Sequence, residues 1–282
     1  MARSLKDKVI LISGASSGIG RATALACAWA GMNVSLCARR ADKLEAVAKQ
    51  VSDLNRRAHF FTADVADESA VGRWVEEAYG TLGRVDAVYA NAGYGRVAPA
   101  MELTMEQHRR MFEVNYFGTV HLLRAALPYL GNTPDGLRHL LVCSSCVSEL
   151  GPPGSGVYAA TKAAQDLLAQ AMRAELAGEG YAVTSVHPVG TKTEFFDVAK
   201  AHTDAASAGR LEPPEFFMQT PEHVAKKIVA ALKKPRPEVW PMRSARFAAA
   251  FCTAFPRLTA WGLRKAYERS QKPHETQEAA PA

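Results

Sequence analysis

Seven short apolar runs, each set off by a longer stretch of helical periodicity, restrict this chain more than any other feature. The runs are VILIS (9–13), NVSLCA (33–38), AHFFTA (58–63), DAVYA (86–90), HLLVCS (139–144), YAVTSV (181–186) and EVW (238–240). Helix-like segments lie near 18–31, 40–55, 67–80, 104–130, 157–178 and 221–234. Continuous apolar strands separated by helices imply a parallel sheet buried on both faces. Right-handed crossovers then wind that sheet into an α/β sandwich with helices on either side. Thr104 with Gln107 reads as a capping box, Thr220-Pro221 as an N-cap with proline at the first helical position, and Gly178 and Gly180 as the stop of the helix from 157.

The length of 282 residues, with 48% apolar and 22% charged residues, suits one large domain with an extension. It excludes a mainly disordered chain and a small disulfide-stapled scaffold. Residues 1–240 are expected to form a single domain, 241–270 an amphipathic extension and 271–282 a disordered polar tail. Five scattered cysteines (Cys27, Cys37, Cys143, Cys146, Cys252) point to a reducing compartment. Cys143-x-x-Cys146 has no second pair at zinc spacing, so both are read as buried strand thiols and no metal is expected. The run after Arg3, Lys6, Asp7 and Lys8 is shorter than the roughly 7–15 apolar residues of a secretory core. FAAAFCTAF (247–255) is about half the ~18–20 residues of a membrane span. A cytoplasmic protein is expected. The net charge of +6, without aromatic–basic strips elsewhere, gives no case for nucleic acid.

The first strand runs into SGASSGIG (13–20) and then an alanine-rich helix. A strand, a glycine-rich turn and a helix cradle a pyrophosphate on free N–H groups at the positive end of the helix dipole. Gly14 serves the tight turn, Gly18 the approach to phosphate and Gly20 the close helix–strand packing. Ser16, Ser17 and Ile19 belong to the same loop. This makes the expected fold a Rossmann-type doubly wound sheet of about seven strands. The second strand ends at Ala38, followed by Arg39 and Arg40 rather than an acid. A carboxylate there would accept from a ribose 2′-hydroxyl, whereas guanidinium groups pair a 2′-phosphate, so NADP(H) is favoured over NAD(H). Asp64 and Val65 close the third strand, where Asp64 is either an adenine-amino acceptor or a turn cap.

Tyr158 and Lys162 lie four apart on one helical face, where an ammonium lowers a phenol's cost of ionising. Taken alone, the pair is an ordinary helix face. Ser145, thirteen residues upstream after the fifth strand, can donate to the oxygen that Tyr158 protonates, with Ser144 and Ser148 as competing choices. Asn115 interrupts a long helix.

Together these strings resemble the short-chain dehydrogenase/reductase family over about residues 6–240. That family carries T-G-x-x-x-G-I-G, with Ser13 here in place of Thr, a tetrad matched by Asn115, Ser145, Tyr158 and Lys162, and an N-A-G element matched by Asn91, Ala92 and Gly93. The resemblance implies that Asp64 and Val65 meet the adenine. It implies that Pro188, Thr191 and Thr193 of HPVGTKT (187–193) meet the nicotinamide end, although Val189 stands where glycine is usual and His187 reads as structural. It also implies hydride exchange with a carbonyl or secondary alcohol: Ser145 orients the oxygen, Tyr158 protonates it, Lys162 holds the ribose, and Asn115 completes a water-linked relay. A homodimer or homotetramer through 104–130 and 157–178 is implied in the same way. Two other readings stand beside it: a non-catalytic NADP(H)-binding sensor or scaffold, and an epimerase or dehydratase.

Substrate selection is expected from 94–103, 146–157 and 194–219, the last with paired aromatics at Phe195-Phe196 and Phe216-Phe217. A lid over an apolar, aromatic, lipid-like or steroid-like substrate fits that segment, as does a plain surface insertion. The extension mixes Phe247, Phe251, Phe255, Leu258 and Trp261 with Arg243, Arg246, Arg257, Arg264, Lys265 and Arg269, and Pro256 should kink or split it. Such a face lies on an anionic membrane surface, packs on a subunit or covers the pocket.

Overall fold

Each of the seven apolar runs forms a strand, and each connecting segment that scans as helical forms a helix. The computed structural model describes residues 2–196, 199, 215 and 218–270. The strands are β1 (Val9–Ser13), β2 (Asn33–Ala38), β3 (Ala58–Thr62), β4 (Ala87–Ala90), β5 (His139–Cys143), β6 (Ala182–Val186) and β7 (Glu238–Val239). They pair in parallel in the order β3-β2-β1-β4-β5-β6-β7. The order reverses direction between β1 and β4. In open α/β sheets the crevice at such a reversal, outside the strands' carboxyl ends, is where ligands bind.

The helices are α1 (Gly18–Trp29), α2 (Ala41–Ser52), α3 (Glu68–Leu82), α4 (Met105–Phe112), α5 (Gly118–Ala126), α6 (Gly156–Glu175), α7 (Pro221–Lys233), α8 (Arg243–Ala254) and α9 (Pro256–Ser270). One face of the sheet packs residues of α1, α2 and α7 against Ile10, Ile12, Leu36 and Tyr89, and the other packs α3, α5 and α6 against Leu11, Val88, Leu140 and Val142. β1 and β5 are buried at every position, as strands covered on both faces must be, whereas edge strand β3 leaves Phe60 exposed. The expected caps form. Thr104 and Gln107 close a reciprocal capping box on α4, and Thr220 accepts from His223 N ahead of Pro221.

The helix read over 104–130 is not continuous. It widens to a π-helical turn at Glu113–Phe117, centred on the buried Asn115, before resuming as α5. The helix from 157 stops at Glu175, with Gly180 in the left-handed region at φ +78°. The CxxC pair is also not two strand thiols. Cys143 ends β5, but Cys146 is half-buried at the head of a 3-10 turn, Cys146–Glu149.

Pro256 splits the extension into α8 and α9. Ala245 and Ala249 of α8 are buried, and the helix packs on the 3-10 turn at Cys146–Glu149 beside the carboxyl edge of β5. Phe247 and Phe251 face outward, continued by Phe255, Leu258 and Trp261. The base of the 194–219 segment is pinned, since Thr191 and Gln219 form a parallel bridge. Most of that segment, including Phe216 and Phe217, and the whole of 271–282 lie outside the described residues. No helix of the described residues is long and apolar enough to cross a membrane.

His139 on β5 is fully buried, and burial, with Arg3 adding to it, pulls its imidazole down to about 3. The Thr184 hydroxyl donates to Arg236 O at 2.7 Å, so it accepts from His139 Nε2 at 2.9 Å. The imidazole is thus neutral in the fold and takes a proton on unfolding near pH 6.5. Its contribution to stability is present above that pH and is lost as pH falls toward 3, at up to about 1.4 kcal/mol per pH unit. Denaturant titrations between pH 7 and 4.5 should give a steep fall for the native chain and a shallower one for His139→Gln; equal slopes would contradict this.

Candidate active site

The carboxyl edge of the sheet is assembled by close backbone contacts. Gly14 and Gly18 adopt left-handed backbone, φ +65° and +54°. A Cβ on Gly14 would stand 2.8 Å from Ala92 Cα, and one on Gly20 would stand 2.3 Å from Gly14 O and 2.7 Å from Asn91 Nδ2. Gly20 therefore serves packing, as its spacing predicts, while Gly18 lies against the Thr193 side chain. The Ser13 hydroxyl accepts from the backbone N–H of Asn91 and of Ala92 at 3.0 and 3.1 Å. Asn91 Nδ2 donates back to Ser13 O and Gly14 O. The N-A-G turn is thus bolted to the glycine loop. Between them opens a cavity of about 800 Å³ whose walls include Ile19, Ala38, Arg39, Val65, Gly93 and Pro188.

The two arginines after β2 differ. Arg39 is exposed at the rim. Arg40 is half-buried and donates to the Ser16 and Ser17 hydroxyls at 3.0 and 2.8 Å and to Glu194 Oε2 at 2.6 Å. Lys43 holds the other Glu194 oxygen at 2.6 Å, and hydrogen bonds from Lys43 and Arg40 pull that carboxyl down to about 2. One anionic group therefore already rests on the guanidinium, the ammonium and the loop beside two hydroxyls. Asp64 accepts from Ala66 N at 3.0 Å and pairs with Arg110, so it is a turn acid with an arginine partner. Burial works against its ionisation, but those bonds outweigh it and its carboxyl sits below the ordinary value. The Val65 carbonyl meets the His121 ring at 3.0 Å.

The four tetrad residues converge. Lys162 is buried on α6 and donates from Nζ to Cys143 O at 2.8 Å. Ser144 Oγ returns a bond to Lys162 O at 3.0 Å, which commits it to structure. Asn115 Oδ1 accepts from Tyr94 N at 3.0 Å, and its Nδ2 donates to Tyr94 O and Thr161 Oγ1, both at 2.9 Å. A Cβ on Gly93 would stand 3.1 Å from Asn115 Oδ1 and 3.3 Å from Lys162 Nζ, so only glycine leaves this wall open. Tyr158 and Ser145 both line the cavity. Phe195 lies over Tyr158 with ring centres 5.5 Å apart, and Phe196 stands edge-on to Phe195.

The phenol does not follow the expectation of acidity. Burial, with the Cys143 thiol next, pushes Tyr158 well above its ordinary value and outweighs the lowering effect of the Ser145 side chain. Lys162 Nζ stands 5.7 Å from the centre of the Tyr158 ring, and burial lowers the ammonium in turn. The turn after β6 accommodates Val189 without left-handed backbone, and Thr191 Oγ1 donates to Val189 O at 2.8 Å. Pro188 O accepts from Cys146 N at 3.0 Å, and Thr193 Oγ1 from Phe195 N at 3.2 Å. Sequence reasoning did not single out Thr161 as the partner of Asn115, Arg110 as that of Asp64, or Glu194 as that of Arg40; each is a polar residue whose partner lies far along the chain.

The family described as short chain dehydrogenase matches residues 8–204. The uncharacterized oxidoreductase YxnA of Bacillus subtilis (strain 168) is 32% identical over 272 residues, 95% of this chain and 75% of that one. Glycine betaine reductase ATRR of Emericella nidulans is 35% identical over 232 residues, 82% of this chain, which spans only 18% of that longer protein. Among solved structures, an alcohol dehydrogenase from the archaeon Thermococcus sibiricus, complexed with 5-hydroxy-NADP, superposes with TM-score 0.71 at 30% identity, covering 83% of this chain and 94% of that one.

The Asn115 carboxamide closes three hydrogen bonds, one buried and two partly buried. Asn115→Ala should lower unfolding free energy by about 2 kcal/mol, since buried backbone groups left unpaired cost on the order of 1–3 kcal/mol each. Urea denaturation measures this, and a loss under ~0.5 kcal/mol would mean the clasp contributes little.

Proposed function

This chain belongs to the short-chain dehydrogenase family and is an oxidoreductase of that type, and from that premise we propose that it uses NADP(H) to interconvert a bulky apolar carbonyl compound and its secondary alcohol. The observation that carries the reading is the half-buried Tyr158, beside Lys162 on α6, which lines with Ser145 a cavity that the glycine loop opens. The nicotinamide, when bound, supplies or accepts the hydride. The chain's own residues do the rest.

Free N–H groups at the start of α1 and the open backbone at Gly14 and Gly18 receive a pyrophosphate. Arg40, Lys43 and the Ser16 and Ser17 hydroxyls form a donor set suited to a phosphate, and Glu194 stands in for that anion. These residues would hold a 2′-phosphate where Glu194 now rests, which favours NADP(H). Lys162 Nζ, beside Gly93, would hold the ribose hydroxyls. Ser145 Oγ and Tyr158 Oη both donate to the substrate oxygen as negative charge grows on it, and these donors are in place before the reaction starts. The Tyr158 phenol carries its proton at neutral pH and gives it to the oxygen when the carbonyl is reduced. Once the proton has moved, the Lys162 charge stabilises the phenolate. Asn115 fixes the Tyr94 backbone and Thr161 around this centre, and its own carbonyl accepts from Thr119 Oγ1 at 2.9 Å. Phe195 and Phe196 supply an apolar wall. Phe117 on the π-helical turn and Leu167 on α6, both exposed, are side chains that assembly into a homodimer or homotetramer would bury.

An NADPH-consumption screen against aromatic, aliphatic and steroid-like carbonyls, repeated with NADH, tests the reading. With the best substrate found, Tyr158→Phe should lower kcat about 10³-fold, within the range for losing a general acid, while NADPH affinity stays within about twofold. Activity that survives this change would overturn the acid assignment. Arg40→Ala should weaken NADPH binding on the order of 10–100-fold, the worth of charge-assisted bonds to a phosphate, and leave NADH unaffected in calorimetry. Equal losses for both coenzymes would remove the argument for the phosphate.

A further inference from the structure

A buried acid and a buried imidazole stand directly behind the serine turn. Asp166 follows Tyr158 by eight residues and Lys162 by four, on the same face of α6, and is 5% exposed. His187, the residue after β6, is 1% exposed. Its ring is stacked on Trp240, centres 4.2 Å apart and planes within 3°. His187 Nε2 stands 3.4 Å from Asp166 Oδ1 and 3.0 Å from Ser185 Oγ. Asp166 Oδ1 makes no well-formed hydrogen bond, while Oδ2 accepts from Gln170 at 2.9 Å. Burial alone would raise the Asp166 carboxyl; its contacts with His187, Ser185 and Gln170 more than offset that and hold it below its usual value.

On its other edge the imidazole meets the serine. Nδ1 lies 3.2 Å from the backbone carbonyl of Ser145 and 3.4 Å from Ser148 Oγ. A carbonyl oxygen only accepts, so Nδ1 carries a proton and donates it there, beside the Ser148 hydroxyl, which donates to the same oxygen at 2.8 Å. The peptide that leaves Ser145 is therefore gripped on both sides. His187 holds its carbonyl, and Pro188 O accepts from Cys146 N at 3.0 Å. Turning that peptide would swing the Ser145 side chain away from Tyr158.

We propose that Asp166 and His187 are positioning residues that brace the carbonyl of Ser145 against α6, the helix that carries Tyr158 and Lys162, and so hold the two substrate-facing hydroxyls at a fixed separation. With the proton on Nδ1, Nε2 accepts from the Ser185 hydroxyl, Asp166 of α6 packs against that edge of the ring at 3.4 Å, Trp240 fixes its plane, and Nδ1–H delivers the restraint. The kinetic consequence rests on the carbonyl-reductase reading; the restraint itself does not.

Two variants at position 187 separate a hydrogen-bonding role from a packing role. His187→Phe keeps the stacking on Trp240 and loses the donor. His187→Asn loses the stacking but can place an N–H near the Nδ1 position. In the full-length chain, His187→Phe should speed amide hydrogen exchange over 144–148 about tenfold and leave 14–20 unchanged. With NADPH and 4-nitrobenzaldehyde, or a better carbonyl from the screen, it should lower kcat about tenfold, in keeping with the cost of a small misplacement, with NADPH affinity within twofold. His187→Asn should recover most of both. A His187→Phe protein that exchanges and turns over like the native chain, or an Asn variant no better than Phe, overturns the proposal. Should His187→Phe fail to fold, Asp166→Asn carries the test: faster exchange over 144–148 and a lower kcat support the tether, and native values for both overturn it. If the native chain reduces no carbonyl, the reductase reading falls, and the exchange comparison alone decides the tether.

Discussion

The geometry of the whole carboxyl edge depends on how closely three backbones approach one another. Gly14, Gly20 and the Asn91–Ala92 turn meet at distances that leave no room for a single added methyl. The Ser13 hydroxyl stitches the turn after β4 to the end of β1 with two hydrogen bonds. Because β1 lies in the middle of the sheet, with β2 on one side and β4 on the other, this contact sets where the N-terminus of α1 points. The cleft exists because α1 starts over the gap between β1 and β4, and α1 can start there only because its first turn has no side chain at Gly20.

Charge is distributed unevenly between the two ends of the sheet. At the amino end, Asp86 is fully buried, yet it accepts from Val9 N at 2.8 Å and from Arg84 Nε at 2.7 Å. Arg84 also reaches Asp135, which pairs with Lys8. That cluster joins β1, β4 and the loop before β5, and every member has a partner. At the carboxyl end, burial moves Tyr158 and Lys162 in opposite directions, the phenol up and the ammonium down, so both are pressed toward their neutral forms. A charge that appears there has little water to screen it, so each fixed donor acts more strongly than it would at the surface.

The parts of the molecule legible in the sequence are those fixed by local chemistry. Runs such as HLLVC can only be doubly covered strands, Thr104 and Gln107 can only be read as a cap, and Gly14 and Gly20 have few uses beside a strand and a helix. The nearness of Tyr158, Lys162 and Ser145 was readable because Tyr158 and Lys162 are one helical turn apart and Ser145 follows a strand that must lie next to that helix. What escaped depends on distant parts of the chain meeting. Asn115 marked a disturbance in a helix, but not that the helix would open into a π-turn clasped by Tyr94 and Thr161. Desolvation moves the Tyr158 phenol up where the nearby ammonium alone would move it down, and depth in the fold cannot be read from spacing. His187 read as structural, and it is part of the frame, but of the frame around Ser145. The available signal was Asp166, an acid on the same face as Tyr158 and Lys162 of an otherwise alanine- and leucine-rich helix.

The bridge between Thr191 and Gln219, with Lys192 N donating to Gln219 O at 3.0 Å and Gln219 N to Gly190 O at 2.8 Å, brings both ends of the intervening segment to one point on the sheet's rim. An excursion whose two feet are already joined is a cartridge. Its length and composition can change without altering the distance it must span, and each doubling costs only about 0.6 kcal/mol of closure entropy. Glu194 and Phe195 sit at its first foot, on Arg40 and Tyr158 respectively. A change of length between the two feet would therefore leave Glu194 on Arg40 and Phe195 on Tyr158.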